Sequence, residues 1–224
     1  MPSPERGQQF TGYRQRSRIR PIALSAIINT RFPAFLPAMS VTETADLIIA
    51  ATRLWLERAV IGLNLCPFAK AVHAKGQVRY VVSAATTPEA LVADLMDELH
   101  FLASADVDKT DTTLLIHPQV LNDFLDYNDF LEVADAVIEE LELSGEIQVA
   151  SFHPQYQFAG TEADDITNYS NRSPYPTLHL LREASVERAV AAFPEAADIF
   201  EKNIETLEKL GHAGWEKLAL KTAT

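Results

Sequence analysis

Two identical tripeptides, His117-Pro118-Gln119 and His153-Pro154-Gln155, each follow an apolar run in this chain. An imidazole at the end of a strand can move a proton near neutral pH or ligate a metal, and the proline behind it ends the strand by withholding an N–H. The second tripeptide opens a long polar segment, to Pro176, that carries Asp164, Asp165, Asn168, Asn171, Arg172 and Ser173. The single cysteine, Cys66, stands directly before Pro67.

Three chemistries are open to this set. Cys66 beside His117 or His153 is a thiol activated by an imidazole, the requirement for a nucleophilic cysteine. His117 and His153 with Asp164 or Asp165 form a two-imidazole, one-carboxylate metal set. Arg172, flanked by Asn168, Asn171 and Ser173 and joined by Gln155, is a clamp for a carboxylate or phosphate, because a guanidinium offers paired donors that match two oxygens. No spacing rule chooses among them, and the cofactor stays open. Each residue also has a plain structural use: a histidine that bonds a nearby carbonyl, a Cys66 packed with Leu65 and Phe68, an Arg172 that ties the loop down through Asp164 or Asp165.

The elements that position these residues follow from hydrophobic period and capping signals. Ser40-Val41-Thr42-Glu43 has the form of a capping box, and Leu47, Ile48, Ala51, Leu54, Trp55, Ala59 and Gly62 share one helical face, so a helix is predicted to about Leu63. Pro67 at a first helical position makes Cys66 the N-cap of a short helix ending at Gly76, where the helix dipole lowers a thiol pKa. Val78 to Ser83 reads as a strand by its β-branched and aromatic content. Thr87-Pro88-Glu89 starts a helix with Leu91, Leu95, Leu99 and Leu102 inward. TTLLIHP is a second strand; a helix capped by Asn128 follows, with Phe130, Val133, Val137, Ile138 and Leu141 on its inner face and Gly145 as its stop. EIQVASFHP is a third strand and Thr177 to Arg182 a fourth. Two closing helices are predicted, one after Ser185 and one from Pro194 to Leu210, stopped by Gly211.

Alternation of strand and helix predicts an α/β fold of about four strands, at least three of them parallel, flanked by helices. A ferredoxin-like α+β sandwich is the alternative. In the parallel arrangement both histidines emerge at the carboxyl edge of the sheet, where open α/β sheets bind ligands, and the long loop leaves from that edge.

Composition bounds the function. A chain of 224 residues, 47% hydrophobic, builds one core. A formal charge of −12 argues against a dedicated nucleic-acid binder, which needs a clustered basic surface. One cysteine excludes an internal disulfide and fits a reducing cytoplasm. The eight glycines form no phosphate-cradling or dinucleotide fingerprint, and no apolar run reaches the ~18 residues of a membrane span. Residues 1–38 differ in kind, with six arginines against one acid and no lysine. They read as a basic arm, a targeting peptide or an extension ahead of a true start at Met39, with residues 39–224 as one domain.

The segments LERAVIGLNLCPFAKAV, LLIHPQVLNDFLDYNDFL and VASFHPQYQFAGTEADDITNYSNRSPYPTLHLLRE resemble an uncharacterised bacterial family, domain of unknown function 1415. The resemblance runs from about Thr42 to Leu218, implies a core that begins near Met39, and brings no activity with it. The residues themselves lead to an enzyme acting on a small anionic substrate, with Arg172 holding the anion, His117 and His153 moving protons and Cys66 as nucleophile. The rival is a non-catalytic module that binds a metabolite or a protein. Catalysis requires a thiol or carboxylate within ~2.6–3.2 Å of an imidazole, whereas a binding module needs only the concave loop.

Because residues 1–38 have neither a periodic apolar face nor a partner strand, a chain started at Met39 is expected to melt within a few degrees of the full chain by calorimetry. A larger drop, equivalent to more than ~1 kcal/mol at this size, means that the segment packs on the core.

Overall fold

The computed structural model describes residues 41–192 and 198–220. The Ser40 cap, the extension over 1–38 and the helix start at Pro194 lie outside the described residues. Helix α1 (Val41–Trp55) runs into a π-helical turn (Leu56–Ile61), followed by the short α2 (Ala69–Ala74) and strand β1 (Val78–Val82). Then come α3 (Pro88–Ser104), β2 (Thr112–Ile116), α4 (Phe124–Glu140), β3 (Ile147–Phe152), a 3-10 turn (Ile166–Asn171), β4 (Thr177–Arg182), α5 (Glu183–Ala192) and α6 (Ile199–Glu216).

The four strands form one mixed sheet in the order β1-β2-β4-β3. Only β1 and β2 make a parallel ladder; β4 is antiparallel to both β2 and β3. The expectation of at least three parallel strands is corrected accordingly, because the last strand enters between the second and third instead of joining an edge. The ferredoxin-like alternative shares the unit β2-α4-β3 with a strand inserted between its two strands, but the parallel β1-β2 ladder sets the sheet apart from it. Since β2 and β3 both oppose β4, they run the same way, and their carboxyl ends share an edge.

Side chains alternate across the pleat, and the core divides with them. Leu115, Leu178 and Leu180 face α3 and α4, where Leu91, Leu95, Leu99 and Leu102 are fully buried together with Tyr127 and Ala134. Leu114 and Ile116 face the other way, against Ile48 of α1, and the neighbouring cluster of Trp55, Leu56, Ala59 and Val60 lies on that side with Val78, Tyr80 and Phe152. The stripe of four leucines is thus where the sequence puts it, while Leu47 and Val133, expected inward, are among the exposed apolar residues. Helix α3 starts as expected, its Ala90 N–H donating to Thr87 Oγ1.

The sequence signals for the start of α4 and for the stop in α6 fare differently. Helix α4 begins five residues earlier than an Asn128 cap would allow, because Asp123 Oδ1 accepts from the backbone N–H of Leu125 and Asp126 at 2.8 and 3.3 Å. In α6 the backbone leaves helical geometry at Gly211, φ 60° and ψ 174°, so the glycine ends the first helical stretch where the sequence puts the stop, and a second stretch runs on across the kink to Glu216. No helix among the described residues is long and apolar enough to cross a membrane.

Candidate functional site

His117 and His153 follow β2 and β3 directly, each ahead of a proline, and continue the edge: His117 N–H donates to Pro176 O and His153 N–H to Asn171 O. Both side chains are fully buried. The ring of Tyr127, from the first turn of α4, packs against both, 5.7 Å from the His117 centroid with planes 18° apart and 5.1 Å from the His153 centroid. Its hydroxyl donates to Thr177 O at 2.8 Å and accepts from Phe152 N–H at 3.0 Å. One phenol therefore joins the start of β4 to the end of β3 and packs against both imidazoles.

The ring nitrogens face main chain. His117 Nδ1–H donates to Val120 O at 3.0 Å. His153 Nε2–H donates to Leu121 O at 3.2 Å, and its Nδ1 accepts from Gln155 N–H at 3.0 Å. The bonds to Val120 O and Leu121 O hold the turn between β2 and α4, in which Leu121 takes φ 56°, a left-handed conformation that costs a non-glycine residue ~1–2 kcal/mol. His117 Nε2 is buried with no partner. Burial lowers the His117 pKa to about 4, with the neighbouring His153 adding to the effect; burial also lowers that of His153, against the pull of the Leu121 carbonyl and the Asp123 carboxylate. On the opposite face of the sheet His179 is likewise lowered to about 4 by burial, and its Nε2–H donates to Thr112 Oγ1, which itself donates to Leu180 O.

Cys66 does not join the histidines. It packs against Trp55, Leu56, Ala59 and Val60, on the sheet face opposite α4. The helix expected to start at Pro67 starts at Ala69. Cys66 is therefore not an N-cap, and burial pushes its thiol pKa up, the reverse of the expected direction; weaker backbone hydrogen bonds from Ala69 and Phe68 oppose the rise.

The long loop is wired largely to itself. Asn168 is fully buried; its Oδ1 accepts from Phe158 N–H and Thr161 Oγ1 and its Nδ2 donates to Glu162 O. Asn171 Nδ2 donates to Ser151 O, and Ser173 Oγ donates to Tyr175 O. Asp165 caps the 3-10 turn by accepting from Thr167 N–H and Oγ1, which lowers its pKa. Asp164 is exposed. No hydrogen bond joins either aspartate to His117 or His153, and among the described residues no three His, Cys, Asp or Glu side chains are grouped to hold a metal ion.

Arg172 is held differently from either expectation. Its Nε donates to Tyr156 O at 3.1 Å, its Nη2 donates to Ala163 O, and its guanidinium lies 4.3 Å over the Tyr169 ring. No ion pair links it to a described carboxylate. It lines an open cleft of about 380 Å³ with Asp123, Phe124, Leu125, Gln155, Gln157 and Ala163, at the edge where β2 and β3 end. The structure thus brings Arg172 and Gln155 to one cleft, brings the two histidines to one ring, and leaves Cys66, Asp164 and Asp165 apart from both groups. Sequence reasoning missed Tyr127 and Asp123. The signals were present: Tyr127 extends the spacing of Phe130, Ala134 and Ile138 on the inner face of α4, and Asp123 precedes the apolar pair Phe124-Leu125 as an N-cap does.

Two outcomes follow from these environments. A histidine whose folded pKa lies below its unfolded value of ~6.5 gives stability that is complete above pH 6.5 and is lost as pH falls toward 4. For His117, at ~1.4 kcal/mol per pKa unit, the loss amounts to roughly 3 kcal/mol. Urea unfolding should show stability falling between pH 7 and pH 4.5. His117→Asn, whose Nδ2 can still donate to Val120 O, should remove one proton's share of that slope; an unchanged slope contradicts the assignment. For Cys66, iodoacetamide labelling of the folded protein should be slow, with a midpoint above the ~8.5 of a free thiol; a midpoint below it contradicts the packing described.

Comparison with curated proteins finds no match, and comparison with solved structures finds none. Residues 47–217, which contain the whole sheet and the cleft, match the family model described as "Protein of unknown function (DUF1415)", and the chain belongs to that family.

Proposed function

We propose that the chain is a small-molecule-binding module that takes an anionic group at Arg172, in the cleft at the carboxyl edge of β2 and β3. The supporting observation is the state of that guanidinium. Two of its nitrogens are fixed by the carbonyls of Tyr156 and Ala163 and its plane rests on Tyr169, while Nη1 has no hydrogen bond among the described residues and the side chain lines open space. A planar donor held rigidly on one side and free on the other loses little entropy when it receives a carboxylate or phosphate.

Binding is favoured over catalysis by the surroundings of the histidines. Both ring nitrogens of His153 and the Nδ1 of His117 are engaged with main chain, and no hydrogen bond joins a thiol or carboxylate to either ring. The proton-transfer pair that an enzyme of this design needs has no support in this geometry.

Arg172→Lys keeps the charge but loses the fork. Calorimetric titration of acetate, succinate and inorganic phosphate into the full chain is expected to show binding of at least one, weakened tenfold or more in the variant. Loss of the two carbonyl bonds should also lower the melting temperature by several degrees, since charge-assisted bonds are worth ~1.5–3 kcal/mol each when well made and less when half exposed. A variant that is globally unfolded identifies Arg172 as a loop anchor alone; equal binding by both proteins rejects the proposal.

A further inference from the structure

The cleft that receives Arg172 also receives a carboxylate. Asp123 Oδ1 is spent on capping α4, through the N–H groups of Leu125 and Asp126, and Oδ2 has no hydrogen bond among the described residues. The two charges line the same cleft without forming an ion pair. Each is fixed by backbone on its inner side, so neither can swing across to neutralise the other without giving up those bonds. An anion bound at Arg172 therefore meets a like charge at Asp123, while a ligand carrying both signs gains at both ends. The same cleft is lined by Phe124, the 70% exposed Leu125 and the exposed Gln155 and Gln157. Gln157 has its Nε2 committed to Thr161 O, which leaves its amide oxygen as an acceptor.

We infer that the ligand is a small zwitterion, whose carboxylate is held by Arg172, whose ammonium group is held by Asp123 and Gln157, and whose apolar part rests on Phe124 and Leu125. An apolar amino acid or a short apolar peptide has this chemistry. The inference rests on the binding role of Arg172 proposed above and adds the cationic end of the ligand.

The test uses the full chain and calorimetric titration with L-leucine and L-leucyl-L-leucine, each also in N-acetylated and C-amidated form, with acetate and succinate as anions lacking the ammonium. At least one zwitterion should bind, and both N-acetylation and C-amidation should weaken it tenfold or more. Asp123→Asn keeps the N-cap, because asparagine caps as well as aspartate. It should weaken the zwitterion to the level of its N-acetyl form and leave that form equal or tighter. If the N-acetyl forms or the simple anions bind the wild-type protein as tightly as the zwitterions do, the zwitterion inference falls and the anion site stands. If no probe of either kind binds, both fall. The wild-type panel decides alone should Asp123→Asn melt early.

Discussion

A single buried hydroxyl sets the geometry of the ligand edge. A phenol offers one donor and a limited acceptor capacity, and Tyr127 uses both, giving its proton to Thr177 O and receiving one from Phe152 N–H. Those partners are the first residue of β4 and the last of β3, the two ends that the long loop must bring back together. The same ring lies against His117 and His153, and the imidazoles in turn hold the carbonyls of Val120 and Leu121. The turn they hold delivers Asp123 to the start of α4. Position passes from the sheet through Tyr127 to the histidines, to the turn, and so to one wall of the cleft.

That sequence of contacts works only while the imidazoles are neutral. His153 both donates and accepts through its ring, a pattern that a doubly protonated ring cannot offer, since protonation removes the Nδ1 lone pair that receives Gln155 N–H. Burial, which lowers the pKa of both histidines, thus protects the hydrogen bonds that fix the edge. His117 carries a cost in the same arrangement, a lone pair at Nε2 that is buried and unmet. Stacking against Tyr127 places that ring, and the carbonyl of Val120 determines which nitrogen keeps the proton.

Much of the fold was legible because its signals are local. The leucine stripe of α3, the Thr87 cap and the four strands depend on period and capping within a few residues, and each lies within a residue or two of expectation. Strand direction and order were not legible in this way. Whether Thr177–Arg182 adds at an edge or inserts between β2 and β3 depends on contacts between residues far apart in sequence, and the sequence-level reading placed three parallel strands together where the sheet has one parallel pair. The convergence of the histidines on one edge survives that error, because an antiparallel strand inserted between β2 and β3 leaves those two running the same way. Cys66 was misread for a local reason: Pro67 suits a first helical turn, but the regular helix begins only at Ala69, and the thiol is taken up by packing against Trp55 and its neighbours.

The long loop shows why polar composition alone is a poor guide to a ligand site. A segment that leaves the sheet must still satisfy its backbone N–H and C=O groups, and where no ladder is available short polar side chains do it. Asn168, Asn171, Ser173 and Asp165 all serve that need, with partners in or next to the loop itself. Arg172 serves it as well, at Tyr156 O and Ala163 O, but a guanidinium has five N–H donors and the loop takes two of its three nitrogens. Asp123, which lines the same cleft, is in the same position, with one oxygen used by the helix and one left over. Donors and acceptors left over after the backbone is satisfied, and turned toward open space, are what set these two residues apart from the other polar groups of the edge.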